Sequence, residues 1–400
     1  MSARIWELLD FIARWVHVVA GIMWVGNSLL FNWLDRSLRG PETAERGREA
    51  LGTIWLLHSG GFYYVEKTLL RDEPLPVPLH WFKWQAYTTW LTGMALLLVV
   101  YYFGNRAVLV EPGPTAFSHG VAVMVGLATI AGGWMLYEAM QRFVAPRAPT
   151  LAATIWIVSI TFIAISLTRA LSGRAAFLHV GAMLGTIMAG NVFFTIIPSQ
   201  HQLVASVTGG GGDPAISARA KRVSIHNNYF TFPVIALMVS NHFPAMYGSR
   251  WNWLLLLVII AAGALVRYVL NLRFTWPAWK PALAATIAAS VAAIYAILAL
   301  PTRGSPGVAA AATGSVTFAD VRHVIDRRCS VCHSAAPVDA SFGPAPAGVA
   351  FDTPEQIVAR ASRIQERAVA TRTMPPGNKT HMTDAERAML ARWIADGARR

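Results

Sequence analysis

The chain has 400 residues, a formal net charge of +13, and 54% hydrophobic but only 14% charged residues. Soluble domains carry about 25% charged residues, so this composition excludes a protein that faces water over its whole surface. The positive charge does not indicate nucleic-acid binding, because no basic stripe interleaves with stacking aromatic residues. We therefore expect no nucleic-acid partner.

The charged residues are unevenly distributed along the chain. Residues 1–300 hold 21 Lys and Arg with 12 Asp and Glu, whereas residues 301–400 hold 13 and 9. This change near residue 301 predicts a membrane domain at 1–300 and a water-soluble domain at 317–400. The segment between them, 301–316, is rich in Pro, Gly, Ala and Ser and is predicted to be a flexible linker.

Eight apolar stretches in the first 300 residues approach the roughly 20 residues that a helix needs to cross a bilayer. They lie at 12–33, 84–104, 117–139, 150–171, 175–198, 225–246, 251–273 and 280–300. The first has no small-residue cleavage site, so we expect it to be retained as a helix. Leu51–Val65 is also partly apolar and is predicted to form a re-entrant or interfacial helix. The expected fold class is all-α, with a polytopic eight-helix transmembrane bundle.

The basic residues of the loops predict the orientation of this bundle. Cytoplasmic loops carry an excess of Lys and Arg. The odd-numbered loops hold fifteen basic residues, counting Arg267 just inside a predicted span, and the even-numbered loops hold four. We therefore expect a multi-pass protein in the lipid of a bacterial inner membrane, with both termini and the soluble domain in the periplasm.

The soluble domain contains both cysteines of the chain, in Cys329-Ser330-Val331-Cys332-His333. Two thiols at this spacing can bond to the two vinyl groups of one haem, and the adjacent histidine then binds the iron. One cysteine pair cannot complete a four-ligand zinc site, and no βαβ pattern indicates a thioredoxin-like site. The motif predicts a covalent haem c on Cys329 and Cys332, with His333 as the proximal ligand.

A methionine downstream is the expected sixth ligand of this iron. Met374 lies in Thr373-Met374-Pro375-Pro376, where the prolines would stiffen its loop. Met382 and His381 are the alternatives.

Helices are predicted on both sides of the haem motif. Thr317 with Asp320, and Thr383 with Glu386, have the spacing of residues that begin helices. The soluble part is therefore expected to be a small, mostly helical c-type cytochrome domain.

The histidines of the membrane part fall into two layers under the predicted topology. The outer layer contains His17, His119, His179 and His242, and the inner layer contains His58, His80, His201 and His226. Two facing outer histidines would ligate a second haem, of b type. His17 and His179 are the first pair, because WVHVVAGIMWVGN and FLHVGAMLGTIMAGN are similar; His119 and His242 are the alternatives. Each histidine would otherwise bond a neighbouring carbonyl or lie among lipid headgroups.

Polar residues near the inner layer predict a ligand site, because such groups are costly in a membrane. Candidate proton acceptors are Glu66, His58, His80 and His226, and candidate substrate contacts are Asn227, Asn228 and Tyr229. Amide, hydroxyl, imidazole and carboxylate groups together could bind a flat, hydrogen-bonding heterocycle. The alternative is that they cap loops and hold helices together.

Three motifs carry a family resemblance: HSGGFYYVEK at 58–67, LHWFKWQAYTTW at 79–90 and HNNYFTFPV at 226–234. With eight spans and a C-terminal cytochrome, the chain resembles the membrane-bound bacterial urate oxidases. The resemblance implies oxidation of urate to 5-hydroxyisourate in purine breakdown. It further implies that electrons pass to the c-type haem and the respiratory chain, through a soluble cytochrome c or a terminal oxidase, rather than to oxygen as peroxide.

Within the resemblance, the haem-ligand pattern corresponds to Cys329, Cys332, His333 and Met374. Two other functions remain open. The chain could be a non-enzymatic, membrane-anchored cytochrome c electron-transfer module of a respiratory complex, or a transporter regulated by a redox-active tail.

Overall fold

The computed structural model describes residues 3–40, 50–68, 70, 74–103, 106–110, 117–207, 214–300, 316–339 and 345–400. The predicted linker at 301–316 lies outside these residues except for its last one. The described chain is mostly helical. Its first 300 residues contain α1 (Ala3–Ser37), α2 (Trp84–Leu96), α3 (Arg106–Leu109), α4 (His119–Ala139), α5 (Pro149–Ala170), α6 (Gly173–Asn191), α7 (Ile197–Val207), α8 (Pro214–Val239), α9 (Pro244–Tyr247), α10 (Asn252–Leu272) and α11 (Trp279–Leu298).

Several of these helices continue past their α-helical ends. π-Helical turns follow α2, α4 and α6 at Leu97–Tyr102, Met140–Val144 and Val192–Ile196, and a 3₁₀ turn follows α8 at Ser240–His242. A π-turn holds one extra residue in the helical ladder and is frequent at functional sites.

Within the described residues, six helices are long and apolar enough to cross a membrane. They are Leu8–Ser37, His119–Val144, Pro149–Ala170, Gly173–Val207, Asn252–Leu272 and Trp279–Leu298. This finding confirms that the chain has the helices of a membrane protein. The predicted second and sixth spans are helical as well, in α2 and α8, but are not among the six.

An antiparallel β-hairpin stands where an interfacial helix was predicted at Leu51–Val65, so that prediction is wrong. Strands β1 (Ala50–His58) and β2 (Gly61–Thr68) pair from Ala50 with Thr68 to His58 with Gly61. Ser59 and Gly60 join them with φ angles of 49° and 75°. Positive φ at both central residues is the requirement of the tight turn that matches strand twist. The all-α prediction therefore holds only in the coarser form of a mostly helical chain.

The helix α6 lies at the centre of the membrane part. In an apolar 18-residue stretch of the span that contains α6, 72% of the residues are buried, against 28% or less in the other five membrane-length helices. It contacts α4, α5 and α8, and α8 in turn packs against α10. By contrast, no residue of the corresponding stretch in α11 is buried, so α11 lies at the periphery of the bundle. Side chains that project from α6 and α8 towards each other are therefore the ones removed from lipid.

The described tail, residues 316–339 and 345–400, includes α12 (Phe318–Arg328), α13 (Pro354–Ala359), α14 (Ala361–Ile364) and α15 (Asp384–Ala395). Both predicted capping boxes are confirmed, at the starts of α12 and α15. These two helices pack against each other, with ring centroids of Phe318 and Trp393 6.0 Å apart. A separate hydrophobic cluster lies between the tail helices and includes Val321, Ile325 and Leu390.

The tail touches one end of the helix bundle. The helix α3 contacts the 3₁₀ turn Pro376–Asn378. In the π-helical turn Gln365–Ala370, the Arg367 side chain lies beside the Tyr247 hydroxyl. A Cβ added at Gly248 would come within 2.9 Å of Thr371. The segment around residues 367–378 therefore faces the loop that follows α8.

Candidate functional site

The end of α12 folds the haem motif into a single turn. Backbone bonds from Cys332 and His333 both reach the Cys329 carbonyl, at 3.1 Å and 2.8 Å. This turn places the three side chains close together on one stretch of backbone. Nδ1 of His333 lies 3.0 Å from the Val349 carbonyl. When Nδ1 donates to a carbonyl, the lone pair is left on Nε2, which is the nitrogen that would bind iron.

The residue before the motif is also held. Arg328 forms an ion pair with Glu386 at 2.9 Å and donates to the Thr380 carbonyl. Glu386 is the partner of the N-cap residue Thr383 in the capping box of α15. These contacts link the start of the haem motif to the last helix, so the two cysteines do not move independently of the domain core.

The predicted sixth ligand is fixed through its backbone. The Met374 amide donates to the Arg367 carbonyl at 2.9 Å, and its own carbonyl accepts from Arg387 at 2.9 Å. Its side chain is half-buried. The alternative Met382 is 3% exposed and packs in the tail core, and His381 is exposed. The donor chemistry of a neutral imidazole and a half-buried thioether fits a c-type haem.

A chain of buried hydrogen bonds joins α8 to the C-terminal ends of α4 and α6. Nδ1 of His226 lies 2.8 Å from the Tyr137 hydroxyl, and Asn191 donates to that hydroxyl at 3.2 Å. Asn191 also donates to Asn227 at 2.8 Å, and Asn227 donates to the Met188 carbonyl at 3.0 Å. The neighbouring ends of α4 and α8 are tied by an ion pair between Glu138 and Arg219.

A second polar group lies on the side of α8 that faces α10. Arg267 and Asn271 both donate to Asn228 Oδ1, at 2.9 Å and 3.0 Å. Arg267 is 5% exposed and its guanidinium stands 5.6 Å from the centre of the Phe232 ring. No carboxylate forms an ion pair with it in the described part of the chain. A buried cation without a carboxylate partner has the chemistry to bind an anion.

The structure brings together only part of the predicted inner site. His226, Asn227 and Asn228 lie in or beside the buried network, and Tyr229 is half-buried next to them. Glu66, His58 and His80 are exposed, the first two on the hairpin. Among the described residues, no hydrogen bond, ion pair or ring contact joins these three to His226. Arg267 was missed, because in the sequence it counted only as one more basic residue near a loop.

The four histidines of the predicted outer layer have different environments. His17 is partly buried, with Nδ1 2.9 Å from the Thr89 carbonyl. His179 is fully buried, and both of its ring nitrogens have partners, the Ala175 carbonyl at 2.8 Å and the Tyr102 hydroxyl at 3.0 Å. His119 lies 2.8 Å from the Tyr102 carbonyl, and His242 is exposed. In the described part of the chain no hydrogen bond or ring contact joins His17 to His179.

Apolar helices of membrane length, packed around a buried polar network, are those of a helical membrane protein. The comparison with protein families is specific about its class. Residues 3–299 match the model of the urate oxidase N-terminal family, and the chain belongs to that family. No curated protein and no solved structure was found to match it.

Proposed function

We propose that this chain is a membrane-bound enzyme that oxidises urate to 5-hydroxyisourate and passes the electrons to a c-type haem on its tail. The observation that carries the proposal is membership of the urate oxidase N-terminal family over residues 3–299. The electron acceptor, the orientation in the membrane, and the residues that bind urate and haem are our own assignments. We infer that the bundle has eight spans, and that α2 and α8 also cross the membrane.

Urate is bound where α8 meets α10. It is a monoanion at neutral pH, and the buried guanidinium of Arg267 supplies the matching charge. Asn228 holds that guanidinium through Nε at 2.9 Å, which leaves the terminal nitrogens of Arg267 as donors. A planar fork of donors suits a flat anion whose oxygen and nitrogen atoms lie in one plane.

His226, on the side of α8 that faces α4, takes up a proton that the oxidation releases. In the tautomer that donates Nδ1–H to the Tyr137 hydroxyl, Nε2 carries the free lone pair. Asn191 holds the same hydroxyl at 3.2 Å. Tyr137 is therefore a positioning residue, which fixes the ring of His226. Asn227 holds Asn191 in turn.

The reaction balances without oxygen. Urate and one water yield 5-hydroxyisourate, two protons and two electrons; the new C–O bond takes its oxygen from water. A c-type haem, held by Cys329, Cys332, His333 and Met374, would accept these electrons one at a time. The residues present fit that group, because His333 Nε2 is left free by the Val349 bond and Met374 is held on both sides.

The docking of the tail supports a periplasmic exit for the electrons. Its contacts with α3 and Tyr247 lie at the end of the bundle whose loops carry fewer basic residues. By the bias of basic residues towards the cytoplasm, that end is the outer one. A soluble cytochrome c or a terminal oxidase would collect the electrons there.

Anaerobic turnover with oxidised soluble cytochrome c as the acceptor tests the proposal on the full-length protein. We expect two molecules of cytochrome c to be reduced per urate consumed, and isotope from labelled water to appear in the product. A Cys329→Ser, Cys332→Ser variant should lose the activity. If urate is consumed only in air with release of peroxide, the acceptor is wrong. If urate is not consumed at all, the chain is a non-enzymatic electron-transfer module.

A further inference from the structure

A large cavity opens between α1, α2, α6 and the C-terminal part of α8. Its volume is about 470 Å³, and its walls are mostly apolar. Cofactor and drug-sized ligand pockets span roughly 300–1,000 Å³ and combine apolar walls with a few placed polar groups. The cavity is separate from the Arg267 cluster, because neither Arg267 nor Asn228 lines it.

One histidine in the wall has the geometry of a metal ligand. Nδ1 of His17 lies 2.9 Å from the Thr89 carbonyl and 3.1 Å from the Thr92 hydroxyl. A proton on Nδ1 is thereby held by the carbonyl, and the lone pair stands on Nε2. Gly93 makes room for the ring, since a Cβ there would lie 3.0 Å from His17 Cε1.

Two arginines line the same cavity, and both lie towards its outer end. Arg14 stands one helical turn before His17 on α1, and Arg174 stands at the start of α6. Arg174 is held by Asn241, which it contacts at 3.0 Å, and the Tyr101 hydroxyl donates to the same oxygen at 3.4 Å. Arg14 forms an ion pair with Asp10 through Nε at 2.7 Å, which leaves its terminal nitrogens as donors. Two guanidinium groups at the outer rim of an apolar cavity suit a ligand that carries carboxylates at one edge.

We propose that this cavity binds a noncovalent iron porphyrin, haem b, with Nε2 of His17 on the iron and with Arg14 and Arg174 on the porphyrin carboxylates. A flat apolar ring with two carboxylates at one edge matches the arrangement of one histidine, apolar walls and two arginines. A quinone matches it less well, because it has no carboxylates for the two arginines.

His17 and His179 do not both face this cavity, although the sequence suggested them as a ligand pair. His179 does not line the cavity, and the Tyr102 hydroxyl occupies its Nε2 at 3.0 Å. His242 does line it, at the outer end near Asn241. His17 is therefore the ligand on which the site depends.

The cavity also borders the buried network around Asn227 and approaches the loop that contacts the tail. Met188 and Thr231 line its inner part, and both bond to Asn227 of the buried network. Its outer part reaches Asn241, a few residues before Tyr247, which contacts the tail. If the proposed function is correct, a haem here lies between urate and the c-type haem. Binding of the haem does not itself depend on urate.

Haem content of the purified full-length protein tests this inference directly. Acidified organic solvent removes haem b and leaves haem c on its cysteines, so the two are counted separately in one sample. We expect about one extractable haem b for each covalent haem c in the wild type. His17→Ala should lower the extractable haem by about tenfold or more while haem c is retained. His201→Ala, whose ring stacks on Trp81 at 4.4 Å outside the cavity, should retain both.

A rescue experiment separates ligation from folding. His17→Gly, prepared with added imidazole, should regain the haem b spectrum, whereas the same variant without imidazole should not. Wild-type protein that carries haem c but no extractable haem b would overturn the inference. So would recovery of a quinone in its place, or full haem b in His17→Ala. None of these results depends on whether urate is oxidised.

Discussion

Replacement of Arg267 by glutamine is the sharpest perturbation of the proposed substrate site. The substitution removes the positive charge and the planar fork, but glutamine keeps an amide that can donate to Asn228. Arg267 is 5% exposed, so its charge acts with little screening by water. The variant therefore tests anion binding with limited damage to the contacts between α8 and α10.

The size of the effect follows from the type of bond that is lost. A hydrogen bond to a charged group contributes about 1.5–3 kcal/mol. Since about 1.4 kcal/mol corresponds to a tenfold change in affinity, loss of one such bond weakens urate binding about 10- to 150-fold. Arg267→Lys keeps the charge but not the fork, so its effect should be smaller.

Steady-state turnover with soluble cytochrome c as the acceptor measures this effect. We expect KM for urate to rise by that factor in Arg267→Gln, with a smaller change in kcat. The control is Arg273→Gln, because Arg273 lies on the same end of α10, is exposed and stacks on Phe274 at 4.5 Å. A folded Arg267→Gln protein with the wild-type KM would refute anion binding by this residue.

Three further predictions concern the proton acceptor, the docked tail and the last helix. Tyr137→Phe should lower kcat by up to about tenfold, the worth of one hydrogen bond, and shift its pH profile; the exposed Tyr268→Phe should change neither in the same assay. Gly248→Leu should slow electron transfer from urate to the tail haem in stopped-flow mixing, because a Cβ there meets Thr371 within 2.9 Å, whereas Gly120→Leu has nothing within 4 Å and should match the wild type. Thr383→Ala should cost the tail about 1 kcal/mol of stability in thermal unfolding, and an unchanged melting temperature would contradict a role for that cap.

The hairpin shows where hydrophobicity alone misleads. Leu51–Val65 is apolar enough for an interfacial helix, although Gly60 and Gly61 interrupt the apolar sequence. The stronger signal was local: β-branched and aromatic residues on both sides of a Ser-Gly pair that can take positive φ. Turn chemistry therefore outweighed apolar length. The two tail helices were predictable because their capping boxes are local in sequence.

The candidate sites could be predicted only in part, because tertiary packing decides which polar groups meet. Asn227 and Asn228 are adjacent in sequence but face α6 and α10 respectively. The similarity between the segments of His17 and His179 suggested a pair, yet similar segments do not imply facing side chains. Arg267 could not be distinguished from a loop arginine, because the type of residue does not show whether its side chain is buried.

Anaerobic rapid mixing of urate with the oxidised full-length protein, followed at the absorption bands of the proposed c-type haem, shows whether electrons from urate reach the tail. We expect these bands to shift to the reduced form, and the shift to slow in His226→Gln. A tail haem that stays oxidised while urate is consumed would mean that the electrons leave by another route.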